Sequence, residues 1–344
     1  MTLLTTHNPI RPLPEATASE LMAMFIDQDT DPLLVGACLA LLAQREPAAH
    51  ELAAFSRSLT EVAVHFPPLP EGALDTCGTG GDGSSTANLS TLAALLLAHL
   101  GVPIVKHGNR AATSVCGSAD LLEGLGYDLA RASSALVHDL ETRRFAFLFA
   151  PAYHPLLGRL REIRKRLGIP TIFNLLGPLL NPAQPPLQVL GVARETLLEP
   201  MAGALANRPT LYRAIVIHGK DAEGKGLDEA SIEGPTLLRQ VKKGRVGEQE
   251  VIVPRELGIV APPRHALQVR DRGEALAVAQ GLLGGAAHPD FRPAVADAVA
   301  LQAALGLVLH RDLGLEALAG AFRESRGALE RGFSLPFSPV QEVR

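Results

Sequence analysis

The stretch CGTGGDG, residues 77–83, packs four glycines and one acidic residue, Asp82, into seven positions. Glycine costs backbone entropy, so this density marks a loop that needs positive φ or a close approach of backbone to ligand. A short strand (73–77) leads into it, and a helix from about Asn88 to Leu100 follows. Strand, glycine turn and helix together are a phosphate cradle, because loop amides and the helix N-terminus both point at an anion. The segment also contains G-x-G-x-x-G, from Gly78 through Gly80 to Gly83. A dinucleotide site would then want an acidic residue at the end of the next strand, for the ribose hydroxyls. The next strand, "VPIVK" (102–106), ends instead in Lys106-His107-Gly108-Asn109-Arg110, which is basic where the template is acidic. That charge argues against a dinucleotide and for a ligand carrying several phosphates.

Outward from the loop, strand-like runs recur at 145–150, 187–192 and 213–219, separated mostly by helical patterns. This alternation predicts an α/β fold, a mainly parallel central sheet flanked by helices. Three apolar helical patterns close the chain at about 273–284, 291–309 and 313–331. Residues 14–65 read as helices only. Asp31-Pro32 is an N-cap and first-turn pair, and Glu46-Pro47 predicts a second helix start of the same kind. "PPLP" (67–70) breaks the helical pattern. The expected organisation is a helical domain, 1–68, with an added segment near 168–186, and an α/β domain, 69–344, interrupted by that segment.

The bulk composition excludes several classes. The 344 residues are 47% hydrophobic, enough for a sizeable core. The net charge of −4, the 4% aromatic content and the absence of Trp argue against nucleic-acid binding by electrostatics or base stacking. The three cysteines, Cys38, Cys77 and Cys116, form no C-x-x-C pair, as expected of a chain in a reducing compartment. No signal peptide is legible, and the apolar run Leu92 to Val105 is too short to span a bilayer. A soluble, cytoplasmic protein without membrane or nucleic-acid partners is expected.

The donors around the loop can be enumerated. Amides of Thr79 to Gly83, with Thr86, Asn88, Ser90 and Thr91 leading into the helix, make one set. Lys106 and the "ATSVCGS" loop, with Thr113, Ser114 and Ser118, make another. An ordinary polar turn with helix caps is the competing reading.

The motifs "GTGGDG…NLST", "KHGNR", "GSADLLEGLG", "HPLLGRLREIRKRLGIPTIFNLLGPLLNP" and "GLDE" occur in the order found in the anthranilate phosphoribosyltransferases, which this chain resembles over roughly residues 15–330. The resemblance implies transfer of a phosphoribosyl group from phosphoribosyl pyrophosphate (PRPP) to the amine of anthranilate in tryptophan biosynthesis, with release of pyrophosphate. It implies a magnesium site, expected to hold two ions per subunit, at Asp228, Glu229 and Ser90, with Lys106 and the acidic pair as the catalytic groups. PRPP would meet Gly78, Thr79, Gly80, Gly81, Asp82, Thr86, Asn88, Ser90, Thr91, Lys106 and Ser118. Anthranilate would meet Gly78, His107, Asn109, His154, Arg164 and Pro178, with Tyr153 and Gly177 completing the walls. Arg164 matches the family's carboxylate-binding arginine; on residues alone it is one cation of a basic helix containing Arg159, Arg161, Lys165 and Arg166. A homodimer through the helical domain is also implied. Two alternatives are a relative that has lost transferase activity and kept ligand or nucleic-acid binding, and a nucleoside phosphorylase-like enzyme. The chain departs from the family pattern at Pro170, where an arginine is common, and in "GKDAEGKG" (219–226), about three residues longer than usual, which predicts a more mobile metal loop.

Overall fold

The computed structural model describes residues 11–111 and 115–337. Three helices come first: α1 (Glu15–Ile26), α2 (Pro32–Leu42) and α3 (Ala49–Glu61). Asp31 caps α2 as its sequence predicts, accepting from the Leu33 amide at 2.9 Å. The Glu46-Pro47 pair does not start α3. The helix begins at Ala49, because the Glu51 carboxylate reaches back to accept from the Ala48 amide at 2.8 Å and fixes the first turn there.

Strands β1 (Leu74–Gly78), β2 (Ile104–Gly108), β3 (Phe145–Phe149), β4 (Leu187–Gly191) and β5 (Arg213–Lys220) pair in parallel in the order β3-β2-β1-β4-β5. The two-residue β6 (Gly226–Leu227) pairs antiparallel with the end of β5, and β7 (Thr236–Lys242) and β8 (Arg245–Ile252) extend the sheet antiparallel beyond it. The β7–β8 hairpin is absent from the sequence reading. Its signal is Lys243-Gly244, both at positive φ, a two-residue turn between alternating runs.

Both sheet faces are covered, and the side-chain alternation of the strands sorts residues between two cores. Val189, Ile215 and Ile217 join a cluster with helices Leu89–His99 and Pro293–His310. Leu190, Val192, Ala214 and Val216 join a second one, with α1–α3, Leu160, Phe173, Leu176 and the helix Leu198–Ala206. The chain therefore returns at 160–180 to the core of its own N-terminal helices. Pro293–His310 corrects the survey of apolar runs: it is 18 residues long and apolar enough to cross a membrane by length and composition, but 78% of it is buried inside the fold. It packs against β1, β4, β5 and the helix Leu89–His99.

Candidate active site

The chain runs from β1 to β2 to β3 on one side and then crosses to β4 and β5 on the other. The carboxyl ends of β1 and β4 therefore flank a topological switch point, where crevices form in open α/β sheets. Residues 228–229 lie across these ends, and three glycines make room for them. A Cβ at Gly78 would sit 2.1 Å from Asp228 Oδ2, one at Gly191 would sit 1.6 Å from the Asp228 carbonyl oxygen, and one at Gly219 would sit 2.3 Å from that of Glu229. Neither Gly191 nor Gly219 is among the site residues expected from the sequence. Their signal is position, since each stands where a strand delivers the acidic segment.

The acidic pair ties loop to helix. Asp228 Oδ2 accepts from the Gly80 amide at 2.7 Å, and Glu229 Oε1 accepts from the Ser90 amide at 3.1 Å. Ser90 is in the first turn of the helix Leu89–His99, whose N-cap residue, Asn88, supplies no side-chain cap and donates through Nδ2 to the Cys116 carbonyl at 2.8 Å. Burial is the main cause that raises the pKa of Asp228, to about 7, with the Asp82 carboxyl next. Glu229 is raised well above its ordinary value, again chiefly by burial and then by Asp228 and Asp82, with Lys106 in opposition. Half-buried carboxyls that repel one another fit a divalent cation, which supplies the missing positive charge. Among the described residues, no group of three or more His, Cys, Asp or Glu forms a metal cage. The Asp228–Glu229 pair suits magnesium, which takes one or two carboxylates and leaves the rest of its shell to water and substrate phosphates.

Lys106 is buried, and its Nζ donates to the Thr76 carbonyl and lies 3.4 Å from Ser90 Oγ. Burial lowers its pKa while Asp75 opposes the shift. Asp82 accepts from the amide and hydroxyl of Ser84, at 2.9 and 3.0 Å, and so shapes the loop. Thr79 is held by Gly191 and Ala193, and Thr86 bridges to Gln268. Gly80, Gly81 and Gly83 have φ of 67°, 84° and 64°, in the left-handed region that favours glycine. Thr91 faces the core at 1% exposure, since the helical turn that presents Ser90 points its neighbour inward. Ser118 donates to the Asn109 carbonyl at 3.3 Å. Thr113 and Ser114 lie outside the described residues. The long turn before Asp228 is closed locally: Asp221 Oδ1 accepts from the Glu223 and Lys225 amides at 3.0 and 2.8 Å, which accommodates the extra residues.

Of the other candidates, His107, His154 and Arg164 meet the segment 171–181, which carries Pro178. Pro178 is buried, and its carbonyl accepts from Gln188 Nε2 at 2.6 Å. His154 Nε2 lies 2.8 Å from the Leu180 carbonyl, and the His107 and His154 rings meet edge to face at 5.4 Å. Tyr153 is buried with its hydroxyl 3.1 Å from Ser133 Oγ. Asn109 is exposed and its Oδ1 accepts from the Arg110 amide at 2.8 Å. Arg164 is half-buried over the Phe173 ring at 5.5 Å and donates to Asn174 Oδ1 at 3.2 Å. Arg161, Lys165 and Arg166 of the same helix are exposed, whereas Arg159 is half-buried and donates to the Asp27 and Thr30 carbonyls.

Burial, and then His154, push the pKa of His107 from 6.5 down to about 3. Between these values the unfolded chain binds a proton that the folded chain refuses, so stability falls as pH drops through this window. His107→Gln is expected to flatten the decline of Tm between pH 7 and pH 4, and thermal unfolding across that range checks it. An unchanged slope would exclude His107 as its source.

The chain is similar to known proteins over most of its length. Residues 71–334 match the glycosyl transferase family a/b domain. Anthranilate phosphoribosyltransferase from Synechococcus sp. (strain CC9902) is 43% identical over 338 residues, covering 96% of this chain and 91% of the relative. The enzyme of that name from Chloroflexus aurantiacus (strain J-10-fl) is 37% identical over 325 residues, 93% of each chain. Among solved structures, anthranilate phosphoribosyltransferase from Thermus thermophilus superposes with a TM-score of 0.82 at 36% identity over 95% of both chains. The enzyme from Saccharomyces cerevisiae in complex with PRPP and Mg gives 0.77 at 26% identity, over 92% of this chain and 89% of that one.

Proposed function

This chain belongs to the anthranilate phosphoribosyltransferase family, and from that premise we propose how its residues divide the work of transferring a phosphoribosyl group from PRPP to the amine of anthranilate. The observation that carries the reading is the half-buried Asp228–Glu229 pair, tied to the glycine loop through Gly80 and to a helix N-terminus through Ser90. Asp228, Glu229 and Ser90 would hold magnesium, two ions per subunit, which when bound neutralises phosphate charge. The loop amides of Thr79 to Gly83 and the helix N-terminus receive the pyrophosphate, and Lys106 places a cation beneath them. Asp82 orders the loop. Anthranilate sits between Asn109, His107 and His154 on one side and the Gly177-Pro178 wall on the other.

No covalent intermediate is needed. The amine attacks carbon 1 of the ribose as pyrophosphate departs, and catalysis consists of holding the two substrates in line while leaving-group charge is stabilised. His107, with its pKa near 3, is too weak a base to take the amine proton at neutral pH. The departing pyrophosphate or water accepts it. The decisive experiment is the loss of anthranilate fluorescence when PRPP and magnesium are added. Persistent fluorescence, with no pyrophosphate released, overturns the reading.

Arg164 is the forked cation for the acceptor carboxylate, preset by Phe173 and Asn174. Arg164→Ala is expected to weaken anthranilate binding by about 1.5–3 kcal/mol, the range for a charged hydrogen bond, with little change for PRPP. Calorimetric titration with each substrate separates this from a solvated arginine, which would weaken neither. We further propose the division into a helical domain (1–68 with 168–186) and an α/β domain, assembly as a homodimer through the helical domain, and a cytoplasmic location without nucleic-acid partners.

A further inference from the structure

Gln188 is the one polar residue of β4, and it is fully buried among Leu187, Val189 and Leu190. Its amide is used at both ends. Nε2 donates to the Pro178 carbonyl at 2.6 Å and to Cys77 Sγ at 3.1 Å, while Oε1 accepts from Arg208 Nη1 at 2.9 Å. Arg208 also donates to the Pro185 carbonyl at 2.8 Å. A guanidinium only donates, so Arg208 forces the amide oxygen toward itself and the NH2 toward Pro178 and Cys77. Cys77 immediately precedes Gly78 at the mouth of the glycine loop. Two further ties hold the same turn: Asn181 Nδ2 donates to Asp75 Oδ2 and to the Val105 carbonyl, both at 2.9 Å. The turn is therefore joined to β1 and β2, which carry Gly78 and Lys106.

We propose that Gln188 is a positioning residue that sets the acceptor wall at Pro178 against the donor loop at Gly78, and that Arg208 fixes which end of its amide faces that wall. The inference rests on placing Pro178 in the anthranilate pocket. Gln188 touches no substrate and acts through the Pro178 carbonyl.

Gln188→Glu tests it. The variant keeps the shape and still accepts from Arg208, but turns an oxygen toward the Pro178 carbonyl oxygen and repels it. Its KM for anthranilate is expected to rise about tenfold, as for one unmet buried hydrogen bond, with less than about a twofold change for PRPP. Arg208→Lys, which cannot hold Gln188 and Pro185 in one fork, is expected to shift the same KM in the same direction by less, and it serves if Gln188→Glu fails to fold. Thermal unfolding is measured alongside. A lower Tm with both KM values unchanged, or an equal rise in both, overturns the proposal by reducing Gln188 to a core hydrogen bond. Wild-type turnover is measured first, so a failure of the functional reading shows in the wild type and a failure of this inference only in the variants.

Discussion

Replacing Asp228 and Glu229 together by Asn and Gln is expected to abolish magnesium-dependent turnover while leaving the fold intact. The amides preserve the local bonds, because each retains an oxygen that can accept from Gly80 or Ser90 as the carboxylates do. What disappears is negative charge. A metal ion contributes several kcal/mol of charge stabilisation at a phosphoryl group, so the rate should fall on the order of a thousandfold. Stability should not fall with it, since the half-buried carboxyls oppose one another and are costly to ionise. A ligand that binds only the folded state raises Tm by mass action. Magnesium with pyrophosphate is therefore expected to raise the wild-type Tm and not that of the double variant. Anthranilate binding, measured by calorimetry without metal, should survive. A double variant that turns over at the wild-type rate, or that keeps its magnesium-dependent Tm shift, would move the metal site elsewhere.

Much of this site is legible in the sequence because its chemistry is local. Four glycines in seven residues announce a backbone that needs positive φ, and Gly80, Gly81 and Gly83 have it. The basic end of β2 excludes a dinucleotide before any coordinate is known. Parallel strands are readable as apolar runs since both faces are buried, whereas β8 is largely exposed and polar, and its hairpin went unread. The helix start near Pro47 misplaced the boundary because the signal that sets it, Glu51 reaching back to Ala48, lies inside the helix. What the sequence could not carry is contact between distant positions. Nothing local in Gln188 or Arg208 relates either to Pro178, and their meaning depends on hydrogen bonds that span 10 and 20 residues. Gly191 and Gly219 are likewise ordinary glycines until Asp228 and Glu229 are laid over them.

That last relation gives the second large effect. Gly191→Ala is expected to lose PRPP binding and to be destabilised, while Gly80→Ala is expected to lose PRPP binding and stay folded. The two glycines have different reasons to be glycine. At Gly191 a Cβ would lie 1.6 Å from the Asp228 carbonyl oxygen and 2.5 Å from its carbon, and both are backbone atoms that no rotamer change can move. Strand β4 is pinned between β1 and β5, so the acidic segment must lift instead, at about 1–3 kcal/mol for an overpacked core. Lifting Asp228 breaks its bond to the Gly80 amide, so the donor loop is disturbed from a residue that never touches the donor. At Gly80 nothing lies within 4 Å of the added Cβ, and the obstacle is φ of +67°. Alanine there costs about 1–2 kcal/mol of backbone strain, which an exposed loop relieves by turning its amides away from the phosphates. Asparagine tolerates positive φ, so Gly80→Asn separates the two needs. If it binds PRPP like the wild type, Gly80 serves the turn alone. If it fails as alanine does, the phosphates come too close for any side chain. Calorimetry with PRPP and magnesium, paired with thermal unfolding, reads all three variants. A Gly191→Ala protein with wild-type Tm and donor affinity would mean that Asp228 and Glu229 are not held where β1, β4 and β5 end.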